Sequence, residues 1–269
     1  MNKVVYMQIG TFARDNEQIE WTLQHEPDFI DLRMDLNYSI AFEKAKETLN
    51  EAGVSCTLHL PSDPEWKPMD LATGIVPYID LGAEINAELV SFHSTLSTLF
   101  YRDEDIDTFL EALPLASMAA KNSNVVIGVE TLGLYYTELT LLFDEHPEMK
   151  IALDIGHGQI MATRNRALGH IDSFFDHIEM VIVHDNNGQK MIHDVLKARE
   201  KTEVSIEETR ELARRYDTHS PIGEGSIDFE SIFRELKERG YDGKFLMMCA
   251  DQKKFPRERE KFTKLWMEA

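Results

Sequence analysis

The chain has very little cysteine. Its 269 residues include two cysteines, Cys56 and Cys249, which lie far apart and each inside an apolar run. A disulfide-stapled scaffold or a cysteine-rich metal cluster is therefore excluded. We expect two buried free thiols in a reducing compartment.

Long apolar runs are also missing. No stretch approaches the 18 consecutive apolar residues that a membrane-spanning helix needs. The apolar run Val4–Ile9 is too short for a signal peptide and passes directly into polar sequence. We therefore expect a cytoplasmic protein that does not span a membrane.

Positive charge is scarce relative to negative charge. The chain has 28 Lys and Arg against 48 Asp and Glu, a formal net charge of −20. A field of this sign repels nucleic acid and anionic lipid, although bound cations or a local basic patch can reverse it at one site. We expect a small-molecule substrate and no nucleic-acid partner.

The chain alternates short apolar or β-branched runs with longer segments of helical periodicity. Strands joined by helical crossovers form a parallel sheet, and eight such units are typical of a closed (β/α)8 TIM barrel in the α/β class. The alternative is an open doubly wound sheet, but no glycine-rich phosphate loop follows the first run. We therefore predict one barrel domain over residues 1–269. The predicted strands are Val4–Ile9, Phe29–Met34, Cys56–Leu60, Leu89–His93, Val125–Glu130, Ile151–Asp154, Met180–His184 and Phe245–Cys249.

One interval is longer than the others, between the seventh and eighth predicted strands. Its surplus is the charged segment 188–216, with helix-like pieces at Lys190–Arg199 and Ile206–Arg215. The pattern favours a solvated helical insertion. The alternative is a lid over the barrel mouth or a contact between subunits of a homo-oligomer.

Polar side chains concentrate where the predicted strands end. In a parallel barrel these ends converge on one mouth, so residues distant in sequence meet there. A lone histidine is more typical of a hydrogen-bonded structural position. Several imidazoles and carboxylates buried together, however, are costly unless a cation neutralises them, and such donors suit Zn²⁺, Mn²⁺, Fe²⁺ or Co²⁺. The candidate ligands at these strand ends are His59, His93, Glu130, Asp154 and His184.

Arg33 is the only cationic residue at a predicted strand end. An ion pair with Asp31 that closes the barrel is favoured over a contact with substrate. The other histidines fall in helical or loop segments and receive no role. They are His25, His146, His170, His177 and His193.

The strand-end motifs together resemble the xylose isomerase-like TIM barrel superfamily, which includes sugar-phosphate isomerases and epimerases as well as endonuclease IV-like proteins. The resemblance extends over nearly the whole chain. Its most specific segments are Val129-Glu130-Thr131-Leu132-Gly133, Asp154-Ile155-Gly156-His157, Asp217-Thr218-His219-Ser220-Pro221-Ile222-Gly223-Glu224-Gly225 and Gly240-Tyr241-Asp242-Gly243.

The resemblance implies roles for these residues. Glu130, Asp154 and His184 match the metal ligands of the family, and His157 matches a residue that contacts substrate or binds a further metal. One to three ions are implied, with Zn²⁺, Mn²⁺ or Co²⁺ as candidates. Additional ligands of the endonuclease IV three-zinc cluster are matched by His59, His93, Asp217 and His219.

The chain departs from the family pattern on the eighth strand. The family places a metal-binding Glu eight residues after the first glycine of the Gly240 motif, and here that position is Met248. A thioether is a poor ligand for a hard divalent ion and cannot transfer a proton. Water, Asp251 or Cys249 would have to complete the coordination shell.

Three functions remain open on the sequence. The favoured one is a metal-dependent isomerase or epimerase of a small sugar or sugar phosphate, in which Glu130 abstracts the proton next to the carbonyl and His157 or water returns it. The second is a multi-metal phosphoesterase of the endonuclease IV type. The third, suggested by Met248, is a barrel that binds metal or ligand without turnover.

Overall fold

The computed structural model describes residues 7–200 and 203–269, and these contain a closed, all-parallel barrel in which each strand pairs with the next and β8 pairs with β1. The predicted eight-stranded barrel is therefore confirmed. Its strands are β1 (Gln8–Ala13), β2 (Phe29–Asp35), β3 (Ser55–Ser62), β4 (Val90–His93), β5 (Ile127–Glu130), β6 (Lys150–Asp154), β7 (Ile178–Val183) and β8 (Lys244–Met247).

Helices follow the strands and surround the barrel. The α-helices are α1 (Asn16–Leu23), α2 (Phe42–Ala52), α3 (Ile79–Glu84), α4 (Asp103–Ser123), α5 (Tyr136–Glu145), α6 (Ile155–Gln159), α7 (Ala167–Phe174), α8 (Met191–Arg199), α9 (Ile206–Tyr216), α10 (Phe229–Glu238) and α11 (Phe255–Glu268).

Helix α10 shows how the sequence specifies these elements. The Asp228 carboxylate caps its first turn by accepting from the Ser231 amide, a role typical of an Asp before a helix. Phe229, Ile232 and Phe233 recur at helical spacing and are buried against the barrel. Burial of each such side chain contributes roughly 1.5–3 kcal/mol.

Strand β1 differs from its prediction. The sequence predicted Val4–Ile9, of which residues 4–6 lie outside the described residues, whereas the strand continues to Ala13. The strand can continue through the polar residue Thr11 because its hydroxyl donates to the Met247 carbonyl on β8 (2.8 Å). Apolar content alone therefore placed the end of the strand too early.

Side chains alternate along the barrel strands, so residues two apart point the same way. The interior below the mouth is filled by an apolar cluster that includes Ala152, Ile182 and Leu246. Two residues further along these strands lie Asp154, His184 and Met248, close to the mouth. We call the corresponding residue of each strand the mouth ring: Phe12, Arg33, His59, His93, Glu130, Asp154, His184 and Met248.

Helices α8 and α9 lie between β7 and β8, within the segment predicted as a solvated insertion. Met191, Val195 and Ala213 on these helices are buried in a separate apolar cluster with Trp66 and Phe100, from the loops after β3 and β4. The segment therefore packs on the mouth-side loops. The sequence prediction missed this packing because only a few apolar residues of this highly charged segment make the contact.

Both cysteines are buried and free, in agreement with the sequence. Among the described residues, none of the helices combines the length and the apolar character that crossing a bilayer requires.

Close packing between β1 and β2 predicts that Gly10→Ala is destabilising. A Cβ at Gly10 would overlap the carbonyl oxygen of Phe29 and would lie 2.7 Å from the ring carbon Cδ1 of the same residue. We expect a loss of about 1–3 kcal/mol in the free energy of unfolding, measured by urea denaturation. The control is Gly169→Ala in α7, where a Cβ meets nothing within 4 Å and helix propensity predicts a small gain. Equal stability of the two variants would contradict this account.

Candidate metal centre

The residues predicted at the strand ends are brought together at the mouth. Donor atoms that lie within 4.8 Å of one another fall into three groups among the described residues. The groups are His59, His93 and Glu130; Glu130, Asp154 and His157; and His157, His184, Asp217 and His219.

The first group lies at the ends of β3, β4 and β5. Parallel pairing places His93 beside Glu130 in register. His93 Nε2 lies 2.8 Å from Glu130 Oε1, and His59 Nε2 lies 3.2 Å from Glu130 Oε2. His59 and Glu130 are almost completely buried, so one carboxylate faces two imidazoles away from solvent.

The last group forms where the loop after α9 returns to the mouth. Asp217 Oδ2 lies 3.2 Å from His157 Nε2 and 3.1 Å from His219 Nε2. The other ring nitrogen of His219, Nδ1, hydrogen-bonds the Met248 carbonyl (2.9 Å). His184 stacks on His219 with ring centroids 3.7 Å apart.

Asp154 and His157 connect the groups. Asp154 caps the short helix α6, because its Oδ1 accepts from the His157 amide (2.7 Å). That turn directs His157 inward, where Nδ1 lies 3.1 Å from Glu130 Oε1 and 3.3 Å from Asp154 Oδ2. Gly156 is required here, because a Cβ would overlap the His184 ring.

The strand-end trio that the sequence singled out is only partly assembled. Glu130 and Asp154 share a group with His157, whereas His184 falls in the group of Asp217. His184 Nε2 lies 3.0 Å from Asp154 Oδ1, so the two side chains contact each other directly. The ligand role of each residue stays a prediction.

The charges in the cluster are strongly coupled. Burial favours the neutral form of Glu130, but His93 and His157 hold the pKa of its carboxyl well below the usual range. Burial likewise opposes a charge on His157, yet Asp154 and Asp217 raise the pKa of its imidazole well above the usual range. Burial and the Arg33 guanidinium hold the pKa of His59 well below the usual range, which leaves its imidazole neutral.

The donor set fits divalent metal ions. Several buried donor atoms have no hydrogen-bond partner within the described ranges, although a charged or polar neighbour lies close by. A cation would satisfy these lone pairs, and neutral imidazoles with carboxylates are donors that zinc and manganese accept. The unpartnered atoms are both ring nitrogens of His59, Glu130 Oε2, His157 Nδ1 and His184 Nδ1.

Arg33 combines features of both roles considered for it. Its guanidinium lies 3.4 Å from Asp31, 3.4 Å from Asp35 and 3.7 Å from Glu130 Oε2, and it also lines the cavity at the mouth. The ion pair with Asp31 therefore exists. It holds the arginine beside a candidate metal ligand.

The cavity above the cluster has a volume of about 500 Å³. Its wall includes residues that the sequence analysis did not select: Arg14, Asp35, Trp66 and Arg214. Arg14 lies over the Phe12 ring, with its guanidinium carbon 4.3 Å from the centroid. Arg14 and Trp66 lie on loops, Asp35 ends β2 and Arg214 lies on α9. Single residues at such positions carry no periodic signal, and for Arg214 the sequence offered only the dense charge of segment 188–216.

Met248 lies where the resemblance implied a Glu ligand. Its side chain belongs to the interior apolar cluster and also lines the cavity, and its carbonyl contacts the candidate ligand His219. Phe12, on the paired strand β1, belongs to the same cluster. One side of the mouth ring is therefore apolar.

Comparison with family models matches residues 18–265 to the xylose isomerase-like TIM barrel family. The chain belongs to this family, as its strand-end motifs indicated. No curated protein matches the sequence closely enough to show a relationship.

Solved structures share the fold at low sequence identity. One, of a D-tagatose 3-epimerase-like protein, has a TM-score of 0.69 and 20% identity, covering 97% of this chain and 99% of the other. A D-allulose 3-epimerase from Methylomonas sp. in complex with D-allulose has a TM-score of 0.66 and 13% identity, covering 98% of each chain. A Thermus thermophilus protein soaked with ZnCl2 has a TM-score of 0.66 and 15% identity, covering 98% of this chain and 99% of the other.

Asp31 gives the site a testable pH dependence. Complete burial raises the pKa of its carboxyl to about 6, against the lowering effects of Arg33 and the Thr57 hydroxyl. Because this pKa lies above its ordinary value of 3.8, the native state binds the proton more tightly and loses stability as the pH rises from about 4 to 6. Relative to Asp31→Asn, the wild type should lose up to about 3 kcal/mol over this range.

The measurement is urea denaturation of metal-free protein at several pH values between 4 and 7. Asp144→Asn, at an exposed position of α5, serves as the control and should follow the wild type at every pH. A difference between wild type and Asp31→Asn that does not vary with pH would show that Asp31 is charged throughout.

Proposed function

We propose that this protein is a divalent-metal-dependent hydrolase that cleaves a phosphoester bond in a small phosphorylated substrate, such as a sugar phosphate. The proposal rests on the observation that some donor residues belong to two of the three groups. Glu130 belongs to two of them and His157 to two. Shared ligands hold ions a few ångströms apart, which is the arrangement used by multi-metal phosphoesterases.

The protein's own residues have distinct tasks in this proposal. His59, His93 and Glu130 would hold one ion, and Asp154, His157, His184, Asp217 and His219 are the remaining candidate ligands. When bound, divalent zinc, manganese or cobalt supplies Lewis acidity and lowers the pKa of water, so that water can attack at neutral pH. Arg33 keeps Glu130 ionised and oriented, because its guanidinium faces that carboxylate.

The cavity supports a small anionic substrate. Arg14, Arg33 and Arg214 all line it, in a chain whose net charge is −20. Arg14 and Arg33 are both paired with Asp35, whereas Arg214 has no salt-bridge partner within the residues described here. Arg214 is therefore the residue best placed to bind a phosphate group. The volume of the cavity suits a sugar phosphate, and the net charge argues against nucleic acid.

The second candidate is isomerisation or epimerisation of the same class of substrate. It is favoured by the fold shared with proteins described as D-tagatose 3-epimerase-like and D-allulose 3-epimerase. Glu130 would then abstract the proton next to the carbonyl. Met248 stands where the resemblance implied a second carboxylate, so His157 or water would return the proton.

One experiment distinguishes the two candidates. Metal-depleted protein is reloaded with Zn²⁺ or Mn²⁺ and incubated in D2O with a panel of sugar phosphates. Hydrolysis predicts release of inorganic phosphate without deuterium at the carbon next to the carbonyl. Deuterium incorporation without phosphate release would contradict the proposed hydrolase activity and support the isomerase activity. Neither signal with any substrate, in metal-loaded protein, would contradict both and favour a binding protein.

Arg214→Ala tests the phosphate contact. Loss of a charge-assisted hydrogen bond to substrate should raise KM roughly 10–100-fold, while kcat changes less because the metal-binding residues are untouched. The control is Arg215→Ala, which removes an exposed arginine paired with Glu211 on the same helix. An unchanged KM in Arg214→Ala would show that Arg214 does not bind the substrate.

A further inference from the structure

Asp185 follows the candidate ligand His184 in the sequence, just beyond the end of β7, and its side chain is almost completely buried. We infer that Asp185 is a positioning residue: backbone amides of the loop after α9 enclose its carboxylate, and this contact fixes the loop that carries Asp217 and His219. The inference deepens the proposed function and rests on it for the task of those two residues.

Four backbone amides donate to the Asp185 carboxylate. Its Oδ1 accepts from Asn186 (2.8 Å) and Ile227 (3.2 Å), and its Oδ2 accepts from Gly223 (2.9 Å) and Gly225 (2.8 Å). Backbone amides that converge on one anion stabilise its charge. We call these four amides the amide cradle.

The glycines of the loop are required by the amide cradle. A Cβ at Gly225 would overlap Asp185 Oδ1 and the carbonyl oxygen of Asn186. Gly223 has a φ of +79°, in the left-handed region that favours glycine. The glycine-containing motif that the sequence singled out therefore closes around the chain's own carboxylate, and its Gly223 and Gly225 amides are not free to bind a substrate phosphate.

The amide cradle is connected to the two candidate ligands through Ser220. The backbones of Asp185 and Ser220 pair in both directions, because each N–H donates to the other's carbonyl at 2.8 Å. The preceding residue, His219, has a φ of +43°, a strained conformation that persists only where the surrounding structure holds it. Asn186 Nδ2 donates to Asp217 Oδ1 (3.4 Å). Asp185 therefore determines where the Asp217 carboxylate and the His219 imidazole lie.

A second anchor holds the loop from the other side. Glu258 Oε2 on α11 accepts from the Ile222 amide (2.7 Å), and Lys261 Nζ donates to the Ile222 carbonyl (2.7 Å). Asp185 is also separate from the apolar clusters that hold the barrel together. Its removal should therefore shift Asp217 and His219 without unfolding the barrel.

The first test follows the loop by amide hydrogen exchange in metal-free protein. In Asp185→Ala, peptides covering residues 217–227 should exchange roughly 10–100-fold faster, because the loop loses charge-assisted hydrogen bonds. Formate should fill the vacated cradle and reverse this change, whereas formamide, which is neutral and similar in size, should not. Asp185→Asn keeps the size but removes the charge, so its loop should also exchange faster.

The matched control is Asp228→Ala. The Asp228 carboxylate also accepts from a backbone amide, that of Ser231, but it lies outside the amide cradle. This variant should leave the exchange of residues 217–227 unchanged. Circular dichroism verifies the fold of each variant, and the isosteric Asp185→Asn serves for the exchange and metal measurements where Asp185→Ala is unfolded.

The second test measures the affinity for Co²⁺ from its visible absorption. Asp185→Ala should bind Co²⁺ roughly 10–100-fold more weakly than the wild type, because Asp217 and His219 are displaced. Formate should restore the affinity of this variant and leave that of the wild type unchanged. Asp228→Ala should keep the affinity of the wild type. A general loss of stability would not respond to formate in this way.

Three results would overturn the inference: unchanged exchange of residues 217–227 in Asp185→Ala, wild-type behaviour of Asp185→Asn, or failure of formate to reverse the effects. Faster exchange with unchanged Co²⁺ affinity would also overturn it, because the loop would then be held without positioning the ligands. A wild type that binds no Co²⁺ would overturn the proposed function alone, since the exchange of the loop and its reversal by formate still decide the inference.

Discussion

Three carboxylates, those of Glu130, Asp154 and Asp217, are buried among imidazoles at one end of the barrel. Removing that much negative charge from water is costly, and in the metal-free chain the protonated His157 offsets only part of it. The need for positive charge at this point explains why the neighbouring donors are unpartnered and why Arg33 is held beside the cluster.

The barrel supplies the geometry that this cluster requires. Parallel strands place their carboxyl ends at one mouth, and alternation separates an apolar interior from a polar layer only two residues further along each strand. The layer is not symmetrical, because β1 and β8 contribute Phe12 and Met248. The candidate ligands therefore come from β3 to β7, from α6 and from the loop after α9. The segment with α8 and α9 packs over the neighbouring loops and contributes Arg214 to the cavity.

Much of this arrangement could be predicted from the sequence. Eight apolar runs separated by helical periods indicated the closed barrel, and metal-binding residue types at the strand ends indicated the site. Other features could not be predicted. The end of β1 is stabilised by the Thr11 hydroxyl, which donates to the Met247 carbonyl on β8. Arg14 lies on the loop after β1 and Arg214 on α9, and both reach the cavity only through packing between distant elements.

By itself the sequence determined the fold class, the identity of the candidate ligands and the absence of a carboxylate at Met248, because these depend on residue type and periodicity along the chain. Only the tertiary structure decided how the ligands are grouped. It placed His184 with Asp217, engaged Asp154 in hydrogen bonds and used the carbonyl of Met248 to orient His219. These outcomes depend on distances between side chains, which are fixed only when the eight strands close into a barrel.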